Sequence, residues 1–237
     1  MARNPYSPPA AALEDADTAG GEGFRDLSGL TGWLSFLLVL GVAVYIAQLS
    51  ASPLGQIGGG RTLLLAAALV LVLAQELLFI VTVILFLRWI YHAHSNVRVL
   101  GARGLTYSPG WAVGAYFIPI VNLWVPLRAM IHLARASRAP ATWERERTAP
   151  VIVTWWVVWL LWWAVWLVAA SATIAVQVLI YEGGQMLLPP VRLQQEAAIL
   201  STMVGILAVP QYLLARLVVR RIWRYQARQH ARPAAVA

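Results

Sequence analysis

The sequence contains no cysteine and no lysine, and it has few charged residues of either sign. The absence of cysteine excludes disulfide bonds, thiolate metal sites and a cysteine nucleophile, and it leaves the redox compartment open. Only 12% of the residues are charged and 60% are hydrophobic. Soluble domains average about 25% charged residues and about 45–50% apolar residues. The composition therefore predicts a protein that lies in a lipid bilayer.

The arrangements of residues that enzymes use are also missing from the sequence. There is no glycine-rich phosphate-binding motif, no carboxylate pair within an apolar run and no serine with an obvious histidine and acid partner. His92 and His94 are two positions apart, so they do not share one face of a helix, and no acid is close to them in sequence. We therefore expect no catalytic residues, no metal site and a non-enzymatic protein.

All basic residues are arginines, and they give the chain a formal charge of +8. They stand at the ends of apolar runs rather than on one polar face, so we interpret them as topology signals and expect no nucleic-acid binding. Residues 1–27, which are rich in proline, alanine and acids, cannot bury enough apolar surface to fold. We predict a disordered cytoplasmic tail there, followed by a membrane anchor rather than a cleaved signal peptide.

Four runs reach the length of about 20 apolar residues that crosses a bilayer as a helix. The connections at 50–61 and 182–196 are poor in arginine, whereas the other connections and the end of the chain are rich in it. The positive-inside rule then places both termini in the cytoplasm of a bacterial plasma membrane. The predicted helical membrane domain covers 28–225, and 226–237 is a basic tail. The four runs are 29–49, 62–89, 151–181 and 197–219.

A further apolar segment at about 110–135 has arginines on both sides. If it crossed the membrane, one arginine-rich region would be forced outside, so we predict a re-entrant or interfacial broken helix. Ser108 is a suitable helix cap and Pro109 suits the first helical position. Pro119 removes a backbone hydrogen bond, so the break is expected at 119–122. The predicted fold is therefore an all-α membrane protein with four transmembrane helices and this additional element.

Arginines near the membrane surface are candidates for contact with lipid headgroups. Arg128, His132 and Arg135 recur at spacings of four and three, which places them on one helical face. The final arginines alternate with apolar residues and continue the last run as a basic amphipathic helix. The predicted headgroup residues are Arg128, His132, Arg135, Arg220, Arg221 and Arg224.

Three stretches of the sequence carry a family resemblance. They are 86–91 (FLRWIY), 100–114 (LGARGLTYSPGWAVG) and 117–126 (FIPIVNLWVP). Together they resemble the bacterial membrane family catalogued as domain of unknown function 4328. The resemblance implies a small multi-span membrane protein of bacteria, and it implies no activity and no site.

Glu76 is the only acid within any of the four runs, and it lies next to Gln75. An ionised carboxylate at that depth is costly unless it is paired or faces water. Counting inward from the cytoplasmic ends brings Asn122 and Gln211 to a comparable depth, so we predict an intramembrane polar cluster of Gln75, Glu76, Asn122 and Gln211. Its role is either a proton or ligand site, or hydrogen bonding that holds neighbouring helices together.

Tryptophans cover one side of the third run, where Trp155, Trp159, Trp162 and Trp166 recur at spacings of four and three. Aromatic rings of this kind either pack against lipid and partner helices or line a groove for a haem, a quinone, a carotenoid or a lipid tail. We predict no cofactor from this pattern alone.

Two functions are compatible with these features. The first is a structural or accessory membrane protein that binds the phospholipid bilayer, a partner membrane protein or a second copy of itself. The second is a small transporter or channel in which Glu76 couples transport to a proton or a ligand. A continuous polar path past Glu76 is expected of the transporter, and a dry, filled bundle with an exposed tryptophan face is expected of the structural protein.

Overall fold

A computed structural model describes residues 23–51, 61–181 and 191–232, and the regular structure in these ranges is entirely helical. The predictions for residues 1–22, for most of the two arginine-poor connections and for the last five residues lie outside the described residues. The α-helices are α1 (Ser28–Ala51), α2 (Arg61–Val99), α3 (Pro109–Gly114), α4 (Val125–Arg138), α5 (Pro150–Tyr181) and α6 (Val191–His230).

Four of these helices, α1, α2, α5 and α6, are long and apolar enough to cross a membrane. Their outward faces carry large apolar side chains that nothing in the described chain covers, for example Val70 and Ile84 on α2 and Leu167 on α5. A soluble protein rarely exposes continuous apolar surface of this extent. The chain is therefore a multi-pass membrane protein, as its composition predicts.

The long helices α2 and α6 continue beyond the apolar runs that predicted them. The second run ends at 89 and α2 ends at Val99, while the fourth run ends at 219 and α6 ends at His230. Their polar extensions still bury one face, on which Val97 and Ile222 are fully enclosed. Hydropathy marks only the part of a helix that is apolar all round, so it misses an amphipathic continuation.

The long helices pack in the order α5, α6, α1, α2. The segment between α2 and α5 contacts α2, α5 and α6, so it occupies the remaining side of the bundle. Phe86 of α2 reaches Trp155 of α5 in an edge-to-face contact with 5.9 Å between ring centroids. The broken segment and these aromatic rings thus connect the two outer helices of the arrangement.

Helix α2 ends in a Schellman motif, in which the amides of Gly101 and Ala102 donate to the carbonyls of Arg98 and Val97. Gly101 has a φ of 94°, a conformation that glycine adopts without strain. Six positions later, the carbonyl of Tyr107 accepts a hydrogen bond of 2.8 Å from Arg98. The chain therefore turns back beside the end of α2 before the broken segment begins.

The broken segment starts as predicted, with Ser108 accepting a hydrogen bond from the amide of Trp111 and Pro109 in the first turn of α3. The helix then gives way to short 3-10 turns at Ala115–Phe117 and Val121–Leu123. Helix α4 follows and carries the chain back. The interruption includes the predicted positions 119–122, but it begins earlier, because the α-helix already ends at Gly114.

Both ends of the broken segment lie at one end of the bundle, which we call the arginine-rich end. Its entry is held to Arg98 of α2, and its exit is held to α6 by a hydrogen bond of 3.0 Å from Gln226 to Ser137. Its middle reaches into the bundle, where the carbonyl of Leu123 accepts from Trp156 of α5. The predicted fold is confirmed: it is all-α, with four helices long and apolar enough to span a membrane and a broken helix between the second and the third.

The described residues beside the expected domain limits take part in this packing. Leu27, at the end of the expected N-terminal tail, is 2% exposed. Gln226, the first residue of the expected C-terminal tail, is 1% exposed, and α6 continues through it to His230. Phe24 stacks on His230 with 3.9 Å between ring centroids. These contacts join the two ends of the described chain at the arginine-rich end.

Candidate functional site: a tryptophan-lined cavity

A cavity of about 270 Å³ lies inside the bundle, between the four long helices and the tip of the broken segment. This volume is close to the lower end of the range for small-molecule sites, about 300–1,000 Å³. Its lining residues are all uncharged. They are Leu34 and Leu38 of α1, Phe79, Thr82, Val83, Phe86 and Leu87 of α2, Tyr116, Phe117 and Asn122 of the broken segment, Trp155, Trp156, Trp159, Trp162 and Trp163 of α5, and Ala208, Gln211, Tyr212 and Ala215 of α6.

The tryptophans of α5 form a continuous series of ring contacts along one wall of the cavity. Trp156 and Trp159 are stacked, with 4.5 Å between ring centroids and an interplanar angle of 24°. Trp159 and Trp163 meet edge to face at 6.1 Å. Contacts of this kind fix ring orientation, because the electron-rich face of one ring attracts the edge of the next. The wall is therefore both apolar and pre-formed.

The exposed fraction of the residues changes along this tryptophan series. Trp155 is 3% exposed, whereas Trp166, which does not line the cavity, is 41% exposed. The helical spacing places these four residues on one side of α5, but it does not predict that one end of this side is covered by other elements of the bundle. Of the predicted aromatic face, Trp155, Trp159 and Trp162 line the cavity and Trp166 lies outside it.

The cavity extends to the surface of the bundle at the broken segment. Phe117, one of its lining residues, is 70% exposed. Tyr116, the preceding residue, packs edge to face against Phe86 at 6.1 Å and Trp156 at 6.5 Å. The break in the helix thus directs one ring inward and leaves the next exposed at the rim of the cavity.

Five polar atoms of lining residues are buried and have no hydrogen-bond partner among the described residues. They are the hydroxyl of Tyr116, the amide oxygens of Asn122 and Gln211 and the indole Nε1 atoms of Trp155 and Trp162. A buried polar group without a partner is destabilising by about 1–3 kcal/mol. These atoms are enclosed by neighbouring protein groups, so they belong to the packing around the cavity rather than to its open surface.

The structure divides the predicted polar cluster. Asn122 and Gln211 line the cavity, and Gln75 is buried next to it, donating a hydrogen bond of 3.4 Å to the Tyr212 hydroxyl. Glu76 is exposed and is not a lining residue. It precedes Phe79 and Val83 by three and seven positions, so it stands on the same side of α2, beyond the outer limit of the cavity.

The three predicted headgroup residues of α4 have different surroundings. Arg128 is exposed, whereas Arg135 donates a hydrogen bond of 2.6 Å to Thr148. The ring of His132 lies between Tyr107 at 5.6 Å and Trp143 at 5.0 Å. Burial lowers the pKa of His132 below its ordinary value, and the positive charges of Arg135 and Arg128 lower it further. Within this group, the exposed Arg128 is the side chain best placed for a headgroup.

On α6, Arg221 and Arg224 are exposed and Arg220 is half-buried. The opposite face of this part of the helix is occupied by a hydrogen-bond network that the hydropathy pattern does not reveal. Gln226 donates to the carbonyl of Ala93 at 2.9 Å and to Ser137 at 3.0 Å. Asn96 donates to Gln226 at 3.3 Å and to the carbonyl of Arg25 at 2.8 Å. The only sequence signal for this network is the interruption of an apolar face by Gln226.

Residues 55–224 match the family model described as Domain of unknown function (DUF4328). The chain belongs to this family. The match covers α2, the broken segment and α5 completely, so the elements that form most of the cavity wall are those of the DUF4328 domain. No curated protein and no solved structure matches the chain.

Proposed function

We propose that this protein is a non-enzymatic accessory protein of the bacterial plasma membrane that holds a lipid in the tryptophan-lined cavity. The single observation that carries the proposal is the composition of the cavity wall, which is uncharged and built by all four long helices and the broken segment. A hydrocarbon chain gains contact area in such a wall and leaves no charged group unpaired there.

The position of Glu76 favours lipid binding over transport. A coupling carboxyl has to stand on the path of the transported species. Glu76 is exposed and outside the cavity lining, and the lining residues around Gln211 and Asn122 are mostly aromatic and aliphatic. These positions support lipid binding over the rival function, a small transporter or channel that uses Glu76.

The arginine-rich end supports an orientation with both termini in the cytoplasm. Arg25, Arg98, Arg138 and Arg228 belong to helix ends and connections on this side of the bundle. Arginine near a membrane span favours retention of that end of the span on the cytoplasmic side. Exposed arginines such as Arg128 and Arg221 are then positioned for anionic headgroups, each contributing roughly 1 kcal/mol of attraction.

Lipid retention can be measured by native mass spectrometry of the protein released from phosphatidylcholine nanodiscs. Trp159→Ala removes a stacked ring from the cavity wall, and Trp166→Ala removes the same side chain from the exposed part of α5. We expect lipid-bound protein to fall several-fold for Trp159→Ala and to stay at the wild-type level for Trp166→Ala. Equal retention in all three proteins would contradict lipid binding in the cavity.

The accessory role has a separate test. The protein is solubilised in a mild detergent, isolated through an affinity tag, and the co-purifying chains and lipids are identified. A stoichiometric membrane protein that co-purifies with wild type and with Trp159→Ala supports an accessory subunit whose partner contact is independent of the cavity. Recovery of the chain with lipid alone limits its role to lipid binding.

A further inference from the structure

We propose that a second copy of this chain docks against an exposed stripe of α2, where Glu76 of one copy meets Glu76 of the other. The stripe consists of Leu69, Leu73, Glu76 and Ile80. Docking at this stripe does not depend on the occupant of the cavity, and it adds a named partner to the accessory role.

Glu76 lies deep in its span. It follows Arg61 by 15 residues and precedes Arg88 by 12 residues, which corresponds to about 22 Å and about 18 Å along a helix that rises roughly 1.5 Å per residue. The hydrocarbon layer of a membrane is about 30 Å thick, so the carboxyl group stands well inside it. A carboxyl group at this depth is costly unless another polar group binds it.

The described residues do not provide that polar group. Glu76 is exposed, and it forms no hydrogen bond or ion pair with another described residue. The neighbouring Gln75 is buried on the other side of the helix, where it donates to the Tyr212 hydroxyl at 3.4 Å. Glu76 acts electrostatically on Tyr45 and Tyr212, but neither hydroxyl is hydrogen-bonded to it. A polar group for Glu76 therefore has to come from a second molecule.

The side chains around Glu76 have the spacing of a helix-packing seam. Leu69, Leu73, Glu76 and Ile80 follow one another at intervals of four, three and four residues, and the three aliphatic residues are 59%, 60% and 53% exposed. This heptad spacing lets two helices pack at the small crossing angle that most membrane helix pairs adopt. A single polar residue within such a seam fixes the register and the number of helices.

The symmetry of a membrane dimer explains why Glu76 can bind its own counterpart. Two copies inserted with the same topology are related by a two-fold axis along the membrane normal, so each residue of the seam faces its counterpart at the same depth. A neutral carboxyl group has an O–H donor and a carbonyl acceptor, so two such groups satisfy each other. A second copy thus supplies the required polar group at the required depth.

The contact can be mapped with single introduced cysteines, because the chain has none of its own. Leu73→Cys and Ile80→Cys each place a thiol in the seam. Val81→Cys is the matched control, since it lies next to Ile80 in depth but on another side of α2, and Val81 is 38% exposed. Disulfide formation requires Cα atoms within about 7 Å, a distance that only facing residues of the seam reach.

After oxidation with copper phenanthroline in native membranes, we expect disulfide-linked dimers from the two seam variants and several-fold less dimer from Val81→Cys. Equal amounts from all three variants, or no dimer from the seam variants, would overturn the proposal.

The contribution of the carboxyl group has a separate measurement. Full-length protein is labelled at its C-terminal end and diluted into vesicles of phosphatidylethanolamine and phosphatidylglycerol, where single-molecule photobleaching counts the copies that associate. Glu76→Gln keeps a donor and an acceptor and should dimerise as wild type does. Glu76→Leu should dimerise roughly tenfold more weakly, the factor that a hydrogen bond between membrane helices provides.

A wild-type protein that is monomeric at every dilution, or equal dimerisation of wild type and Glu76→Leu, would overturn the proposal. Lipid retention measured by native mass spectrometry is the folding control. Glu76→Leu should retain lipid as wild type does, because Glu76 is not a lining residue of the cavity. The dimer and lipid binding can therefore fail independently of each other.

Discussion

The indole N–H of Trp156 donates a hydrogen bond of 3.1 Å to the backbone carbonyl of Leu123. This bond joins α5 to the last 3-10 turn of the broken segment, where the break leaves carbonyl groups without helical partners. A tryptophan of the cavity wall thereby holds the tip of the re-entrant element inside the bundle. The wall and the tip are consequently one structural unit.

Trp156→Phe should loosen this unit. The substitution keeps an aromatic ring beside Trp159 but leaves the Leu123 carbonyl without its donor, which should lower the free energy of unfolding by about 1 kcal/mol. A thermal unfolding midpoint in detergent measures the effect, and faster hydrogen exchange at 118–123 locates it. Trp166→Phe is the control, and a similar decrease in both variants would show that the hydrogen bond is unimportant.

Filling the cavity should block lipid without removing any polar group. Val83 lines the cavity and Ile84, the next residue, faces outward. Val83→Phe should reduce bound lipid several-fold, because the larger ring occupies space that the lipid chain requires, whereas Ile84→Phe should have no effect. Native mass spectrometry measures the amount of bound lipid for both variants. An unchanged amount of bound lipid in Val83→Phe would place the binding site elsewhere.

Gln226→Leu should destabilise the arginine-rich end. The change removes the donor to Ala93 and Ser137 and the acceptor for Asn96, and buried polar groups without partners are destabilising by roughly 1–3 kcal/mol. Gln229→Leu is the matched control, because Gln229 bonds to the Arg138 carbonyl at the periphery of the same helix. Equal unfolding midpoints for the two variants would exclude a structural role for the network.

The protein should lose stability as the pH falls through the ordinary pKa of histidine, 6.5. The pKa of His132 is lowered in the folded state, so the unfolded chain binds a proton more readily and acid favours unfolding. The groups around it, Tyr107, Trp143, Arg128, Arg135 and His94, include no acid that would reverse this sign.

His132→Phe keeps an aromatic ring between Tyr107 and Trp143 and removes the titration. The decrease in unfolding midpoint between pH 7.5 and pH 5.5 should therefore be smaller in this variant than in wild type. Thermal unfolding at the two pH values in the same detergent measures it. An identical decrease in both proteins would assign the pH dependence to other groups.

Orientation can be tested because the chain has no cysteine of its own. A cysteine introduced at Ala231, beyond the end of α6, should be protected from a membrane-impermeant maleimide in intact cells and labelled after lysis. A cysteine at Gln56, between the first two spans, should be labelled from outside. Labelling of the Ala231 variant in intact cells would reverse the proposed topology.

Much of the fold could be predicted from the sequence because membrane helices are specified locally. About 20 apolar residues form a helix in lipid wherever they occur, and arginine biases the side on which their ends remain. Ser108, Pro109 and Pro119 act on the backbone next to them, so the start of α3 and the break after it follow from the sequence. The family relationship is likewise carried by contiguous stretches.

The cavity could not be predicted from the sequence, because it depends on how the helices pack against one another. The spacing of Trp155, Trp159, Trp162 and Trp166 defines one face of α5, but only the packing of α2 and the broken segment decides that Trp155 is enclosed and Trp166 is exposed. Equal distance along separate helices suggested that Glu76 would meet Asn122, yet Gln211 lines the cavity and Glu76 lies beyond its outer limit on the same side of α2. Sequence determines which residues share a helical face, whereas the contacts between helices determine what that face meets.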